Sequence, residues 1–143
     1  MRFFDASALV KRYVHERQST EVRRLLRTSD VAVCRLSEVE VVSAFARLAR
    51  DQVLSMVQRD RVVAAFVADL TTWHIVEVTP GVVQTARRLL LQHTLRSGDA
   101  LQLASALVLQ TGIGQPLDSL VAYDHRMLDA ARAEQLPVIG DGT

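Results

Sequence analysis

The stretch Phe3-Phe4-Asp5-Ala6-Ser7-Ala8-Leu9 reads as a short apolar strand that runs straight into a helix. Asp5 stands at the junction, where its carboxylate can cap a helix spanning Ser7 to Val14. The same arrangement returns late in the chain, where Leu120-Val121-Ala122-Tyr123 is followed by Asp124 and a helical pattern from Arg126 to Glu134. Between them, strand-like clusters at Val31 to Cys34 and His74 to Val78 each lead into a longer helix, Ser37 to Arg50 and Pro80 to His93. Pro80 suits a first helical turn. Further helices are expected over Thr20 to Thr28, Met56 to Thr72 and Gly98 to Leu109, with a last strand at Val138-Ile139. The turn-rich run Thr111 to Pro116 is expected to end the Gly98 helix and to form a loop. Short strands alternating with helices specify an α/β fold, a mostly parallel sheet of four to five strands covered on both faces.

Composition bounds the rest. The 143 residues are expected to form a single domain, 1–143, and 49% of them are apolar, enough for a sizeable core. Basic and acidic side chains nearly balance at 17 against 16, so any nucleic-acid surface has to be local. Sixteen of the basic residues are arginine and Lys11 is the only lysine; guanidinium forks suit phosphate, and a coding bias gives the same count. Cys34 is the sole cysteine, which rules out an intrachain disulfide and suits a reducing compartment. No secretory apolar region precedes Lys11-Arg12, and the longest apolar run, Val62 to Ala68, is too short to cross a bilayer. A cytoplasmic protein without membrane attachment is expected.

In a parallel sheet, ligands bind beyond the carboxyl ends of the strands. Asp5 and Asp124 follow two such ends. Asp99 lies at the start of a helix after Ser97-Gly98, and Glu40 lies in the first turn of the Ser37 helix. If the helix N-termini point at the same edge, four carboxylates converge. Two of them about 5 Å apart repel by roughly 3 kcal/mol at an effective dielectric near 20, and a hard divalent ion such as Mg²⁺ or Mn²⁺ offsets that repulsion. Each residue also has a local use. Asp5 and Asp124 suit helix caps, Ser37-x-x-Glu40 matches a capping box, and Asp99 is favourable at any helix N-terminus. His15, His74, His93 and His125 have no metal-ligand spacing. Trp73 reads as core or partner contact. The apolar residues between Ser37 and Thr72 read mainly as core packing, with a second copy or a partner as the alternative cover.

At these four acidic positions the sequence resembles the PIN-domain ribonucleases, and more narrowly the VapC-like toxins of type II toxin–antitoxin systems. Phe3-Phe4-Asp5-Ala6-Ser7 resembles the family's first motif, Leu36 to Arg47 the second, Leu95 to Ala104 the third and Val121 to Leu128 the fourth. The motifs occur in the expected order over nearly the whole chain. The resemblance implies a PIN-like three-layer α/β/α domain and RNA cleavage with Mg²⁺ or Mn²⁺. It also implies inhibition by a cognate antitoxin, and homodimerisation. It assigns the acidic roles to Asp5, Glu40, Asp99 and Asp124, metal binding to Asp5, Asp99 and Asp124 among them, and a supporting hydroxyl to Ser7. Glu38 competes with Glu40, but two residues turn a helical side chain by roughly 200°, and the spacing to Ala44 and Arg47 favours Glu40. Where the third motif usually carries histidine, this chain has Gln102. Arg12, Arg47, Arg96 and Arg126 flank the motifs and are candidates to meet RNA phosphates; a solvated helix surface is the alternative. Low aromatic content argues against extended base stacking.

Two other classes stay open at this point. One is a catalytically silent PIN scaffold that only binds proteins, against which all four acidic positions are filled. The other is an aspartyl-phosphate phosphatase, weakened because Ser7 stands where a second aspartate is needed.

Overall fold

The computed structural model describes residues 1–141. Within them β1 (Arg2–Phe4), β2 (Val31–Cys34), β3 (His74–Val76), β4 (Ser119–Val121) and β5 (Val138–Ile139) form one sheet. Its order is β3-β2-β1-β4-β5 and every neighbouring pair is parallel. The helices are α1 (Ala6–Tyr13), α2 (Ser19–Arg27), α3 (Ser37–Arg50), α4 (Met56–Leu70), α5 (Pro80–Gln92), α6 (Ser97–Ile113) and α7 (His125–Ala133). None is long and apolar enough to cross a membrane, among the described residues.

Phe3 and Phe4 explain the layering, because successive strand side chains point to opposite faces. Phe3 joins a core with Leu89 of α5, Leu103 of α6 and Met127 of α7. Phe4 joins a second core with Leu9 of α1, Leu25 of α2, Phe45 of α3 and Phe66 of α4. Both phenylalanines are fully buried. The sheet is therefore sandwiched between α1–α4 and α5–α7, the three-layer α/β/α arrangement expected. In the second core Tyr13, Phe45 and Phe66 meet edge to face, with centroids 5.7 to 6.3 Å apart, a favoured geometry. Trp73 tilts against Phe66 at 6.4 Å, which makes it a half-buried core contact.

Expected bounds agree with the elements to within about two residues, with one exception. The Gly98 helix does not end at Leu109. It runs through Thr111 and Gly112 to Ile113 and stops at Gly114, whose φ of 68° is left-handed. Thr111 Oγ1 bonds back to the Leu107 carbonyl at 3.1 Å, so the helix absorbs the first turn-like residues. The stop waits for a residue that adopts the left-handed region without strain. The Ser37-x-x-Glu40 capping box does not form either. Leu36 occupies the cap position without a side-chain bond, and the box appears instead at Ser55 and Gln58 at the head of α4.

Between α1 and α4 a polar tie closes the second core. Asp69 accepts from Arg12 Nε at 2.9 Å and from Tyr13 Oη at 2.6 Å. Replacing Asp69 by alanine leaves the half-buried phenol and guanidinium without their acceptor and is expected to lower stability by about 1–3 kcal/mol. Urea denaturation measures this, and an unchanged midpoint would show the tie to be idle.

Candidate active site

The strand order reverses at β1. The connection through α1 and α2 leads to β2 on one side, whereas β4 arrives on the other side by way of α5 and α6. Such a reversal opens a crevice between the carboxyl ends of the two central strands. Asp5 and Asp124 emerge there, and the backbone N–H of Asp5 donates to Val121 O at 3.0 Å.

Asp5 is 4% exposed. Its Oδ2 accepts from Ser7 Oγ at 2.6 Å and from Ser7 N at 3.2 Å, so the aspartate does cap α1. Burial pushes its pKa up to about 6, against those two bonds, and the charges of Glu40 and Asp99 push the same way. Ser7 is itself fixed, since its Oγ accepts from Tyr123 N at 3.2 Å.

Glu40 projects from the first turn of α3. Its Oε1 accepts from Gln102 Nε2 at 2.8 Å, and the same nitrogen lies 2.9 Å from Ser37 Oγ. Burial raises the Glu40 pKa, the Gln102 bond lowers it, and Asp99 raises it again. At the head of α6, a Cβ on Gly98 would stand 3.1 Å from Glu40 Oε2; glycine lets the helix start come this close. Asp99 follows it, half-buried. Its pKa is raised by burial and by Asp124, and Arg96 and Arg126 oppose the rise. Asp124 caps α7, accepting from Met127 N at 3.0 Å.

The four acids chosen from the sequence are thus linked by mutual repulsion: Asp5 with Glu40 and Asp99, Glu40 with Asp99, Asp99 with Asp124. Glu38 faces elsewhere, held by Arg35 Nη1 at 2.8 Å. The cluster offers only hard oxygen donors, and three of its members are shifted toward the neutral form. This is the chemistry that Mg²⁺ or Mn²⁺ fits. Among the described residues, however, no three Asp, Glu, His or Cys side chains stand ready as a ligand set. Three of the four are engaged locally, Asp5 by Ser7, Glu40 by Gln102 and Asp124 by its own helix, each through a single carboxylate oxygen.

The arginines divide. Arg47 lines an open cleft of about 580 Å³ between α1 and α3, beside Ser7, Val10, Glu40 and Ser43. Arg96 and Arg126 are exposed next to Asp99. Arg12 is drawn away to Asp69. Gln102 had stood out in the sequence only as a departure from the third motif. The signal for its role was a polar side chain one helical turn after Asp99 inside the apolar run Ala100 to Ala104.

The chain belongs to the PIN-domain family, whose profile matches residues 2–133. It is 33% identical to "Ribonuclease VapC45" of Mycobacterium tuberculosis, over 92% of this chain and 89% of that protein. It is 32% identical to "Ribonuclease VapC47" of the same species, over 92% and 90%. A solved "Toxin-antitoxin complex from Klebsiella pneumoniae" contains a chain of the same fold, with a TM-score of 0.66 at 18% identity over 97% of this chain and 96% of that one.

Proposed function

We propose that the chain, as one PIN domain, is a divalent-metal-dependent endoribonuclease. It acts as the toxin of a toxin–antitoxin pair in the cytoplasm, and a cognate antitoxin silences it. The observation that carries this reading is the gathering of Asp5, Glu40, Asp99 and Asp124, drawn from distant parts of the chain, at the reversal point of the sheet. The likeness to proteins named ribonucleases supports RNA as the substrate.

Asp5, Asp99 and Asp124 would hold Mg²⁺ or Mn²⁺, which supplies Lewis acidity and offsets charge gathering on the phosphodiester. Ser7 fixes the Asp5 carboxylate by its 2.6 Å bond. Glu40, with Oε1 taken by Gln102, orients the attacking water and accepts its proton at Oε2. Arg47, Arg96 and Arg126 meet the phosphates on either side. In-line attack on phosphorus breaks the bond to the 3′-oxygen, which takes a proton from solvent water, giving a 3′-hydroxyl and a 5′-phosphate. Incubating the protein with labelled cellular RNA and Mn²⁺, with and without EDTA, tests this. Chelator-sensitive fragments ending in 5′-phosphate are expected; fragments that persist in EDTA, or none at all, would refute it.

Arg47→Ala is expected to raise KM several-fold while kcat holds, and to lower the log–log salt slope of RNA binding by about 1. Equal salt slopes for the variant and wild type would place Arg47 outside the RNA path. We also propose a homodimer. Val39, Val53, Met56, Val57 and Val67, on α3, α4 and the turn between them, are 49–63% exposed, and such exposed apolar side chains favour association. Light scattering on the purified protein decides between one and two copies.

A further inference from the structure

Gln102 is 0% exposed and sits in an apolar face of α6 between Leu101 and Leu103. Its Oε1 is buried without a hydrogen-bond partner, which by itself disfavours folding. Leucine would fill such a position without leaving a polar atom stranded. What the amide does instead is join two helices. Nε2 reaches Ser37 Oγ at 2.9 Å and Glu40 Oε1 at 2.8 Å, and these partners lie one turn apart on α3. One carboxamide thus spans the start of α3 and fixes its own plane in doing so.

We propose that Gln102 is a positioning residue that holds the Glu40 carboxylate in its working orientation; this rests on the nuclease reading above. Glutamate has three rotatable bonds, and Asp99 repels Glu40 from the same helix that carries Gln102. Without the Gln102 donor the carboxylate swings away from Asp99 toward solvent. With it, Oε1 is pinned, and Oε2 stays beside Gly98, where an added Cβ would stand 3.1 Å from it.

The test compares Gln102→Met, of similar length but without a donor, with Gln102→His, which keeps an N–H at a similar reach. With an RNA oligonucleotide and Mn²⁺, Gln102→Met is expected to lose about 10–100-fold in kcat, the usual scale for a group that orients a catalytic residue. Its KM stays near the wild-type value and its thermal midpoint does not fall. Gln102→His is expected to recover most of the rate. A second readout needs no activity. In the metal-free protein the Gln102 side-chain amide should give downfield, slowly exchanging NMR signals that move upfield in Glu40→Ala. Unmoved signals, or wild-type kcat in Gln102→Met, would overturn the proposal. A wild-type protein that cleaves no RNA would remove the nuclease reading alone, and the amide signals would still report whether Gln102 holds Glu40.

Discussion

Asp5→Asn is expected to give a protein that is inactive and yet more stable than the wild type. The loss should reach about 10³-fold or more, on the scale of removing a principal electrostatic group from a reaction centre. The gain follows from where the charge sits. Burial lifts the Asp5 pKa from 3.8 to about 6, so the folded protein favours the protonated acid more than the unfolded chain does. The contribution to stability is fully present below about pH 4 and is lost as the pH rises through 6. At neutral pH the ionised carboxylate therefore opposes folding by about 3 kcal/mol. Asparagine carries no charge and its Oδ1 can keep both bonds from Ser7. The variant should melt several degrees higher than metal-free wild type at about pH 7.5, and the two should converge near about pH 4. A variant that melts lower at neutral pH would contradict the electrostatic account, and one that cleaves RNA normally would remove Asp5 from the site.

Phe66→Ala is expected to remove about 3–5 kcal/mol of stability, a large share of the 5–15 kcal/mol typical of a domain. The reason is the poverty of the α4 anchor: only Phe66 and Leu70 of that helix are buried. Phe66 also closes the ring cluster with Tyr13 and Phe45. Its loss opens a cavity and loosens the helix that carries Asp69. None of the four site carboxylates comes from α4, so cleavage at low temperature should persist while the urea midpoint drops. A loss below about 1 kcal/mol would mean that the cavity collapses and α4 is held by other contacts.

How much of this could be read from residues alone depends on how local the deciding interaction is. The strand–aspartate–helix junction at Phe4-Asp5-Ala6 is local, and so is its repeat at Asp124. Both were legible. The convergence of four acids followed from placing each at a strand end or helix start and asking where a parallel sheet puts those ends. What failed was also instructive. Ser37-x-x-Glu40 satisfies the local pattern for a capping box, yet Gln102, 62 residues from Glu40, offers a charged-group hydrogen bond inside the core and takes both side chains. No short window of sequence contains that competition. The pairing of Arg12 with Asp69, 57 residues away, is likewise invisible in any short window. The α6 terminus lies beyond the point where the turn-rich run Thr111 to Pro116 begins, because a glycine in the last turn of a long, well-packed helix is tolerated.

The pairing of β1 with β4 joins the start of the chain to its closing segment. A ribosome that has released residues only as far as α5 has made Asp5 and Glu40, and neither Asp99 nor Asp124 exists yet. Nor can the first strand acquire its central neighbour before then, and such long-range parallel pairing is slow to form. On the reading proposed above, the acidic cluster therefore stays incomplete through most of elongation. An inhibitor would have to be in place by the time α7 has been made and folded, not before.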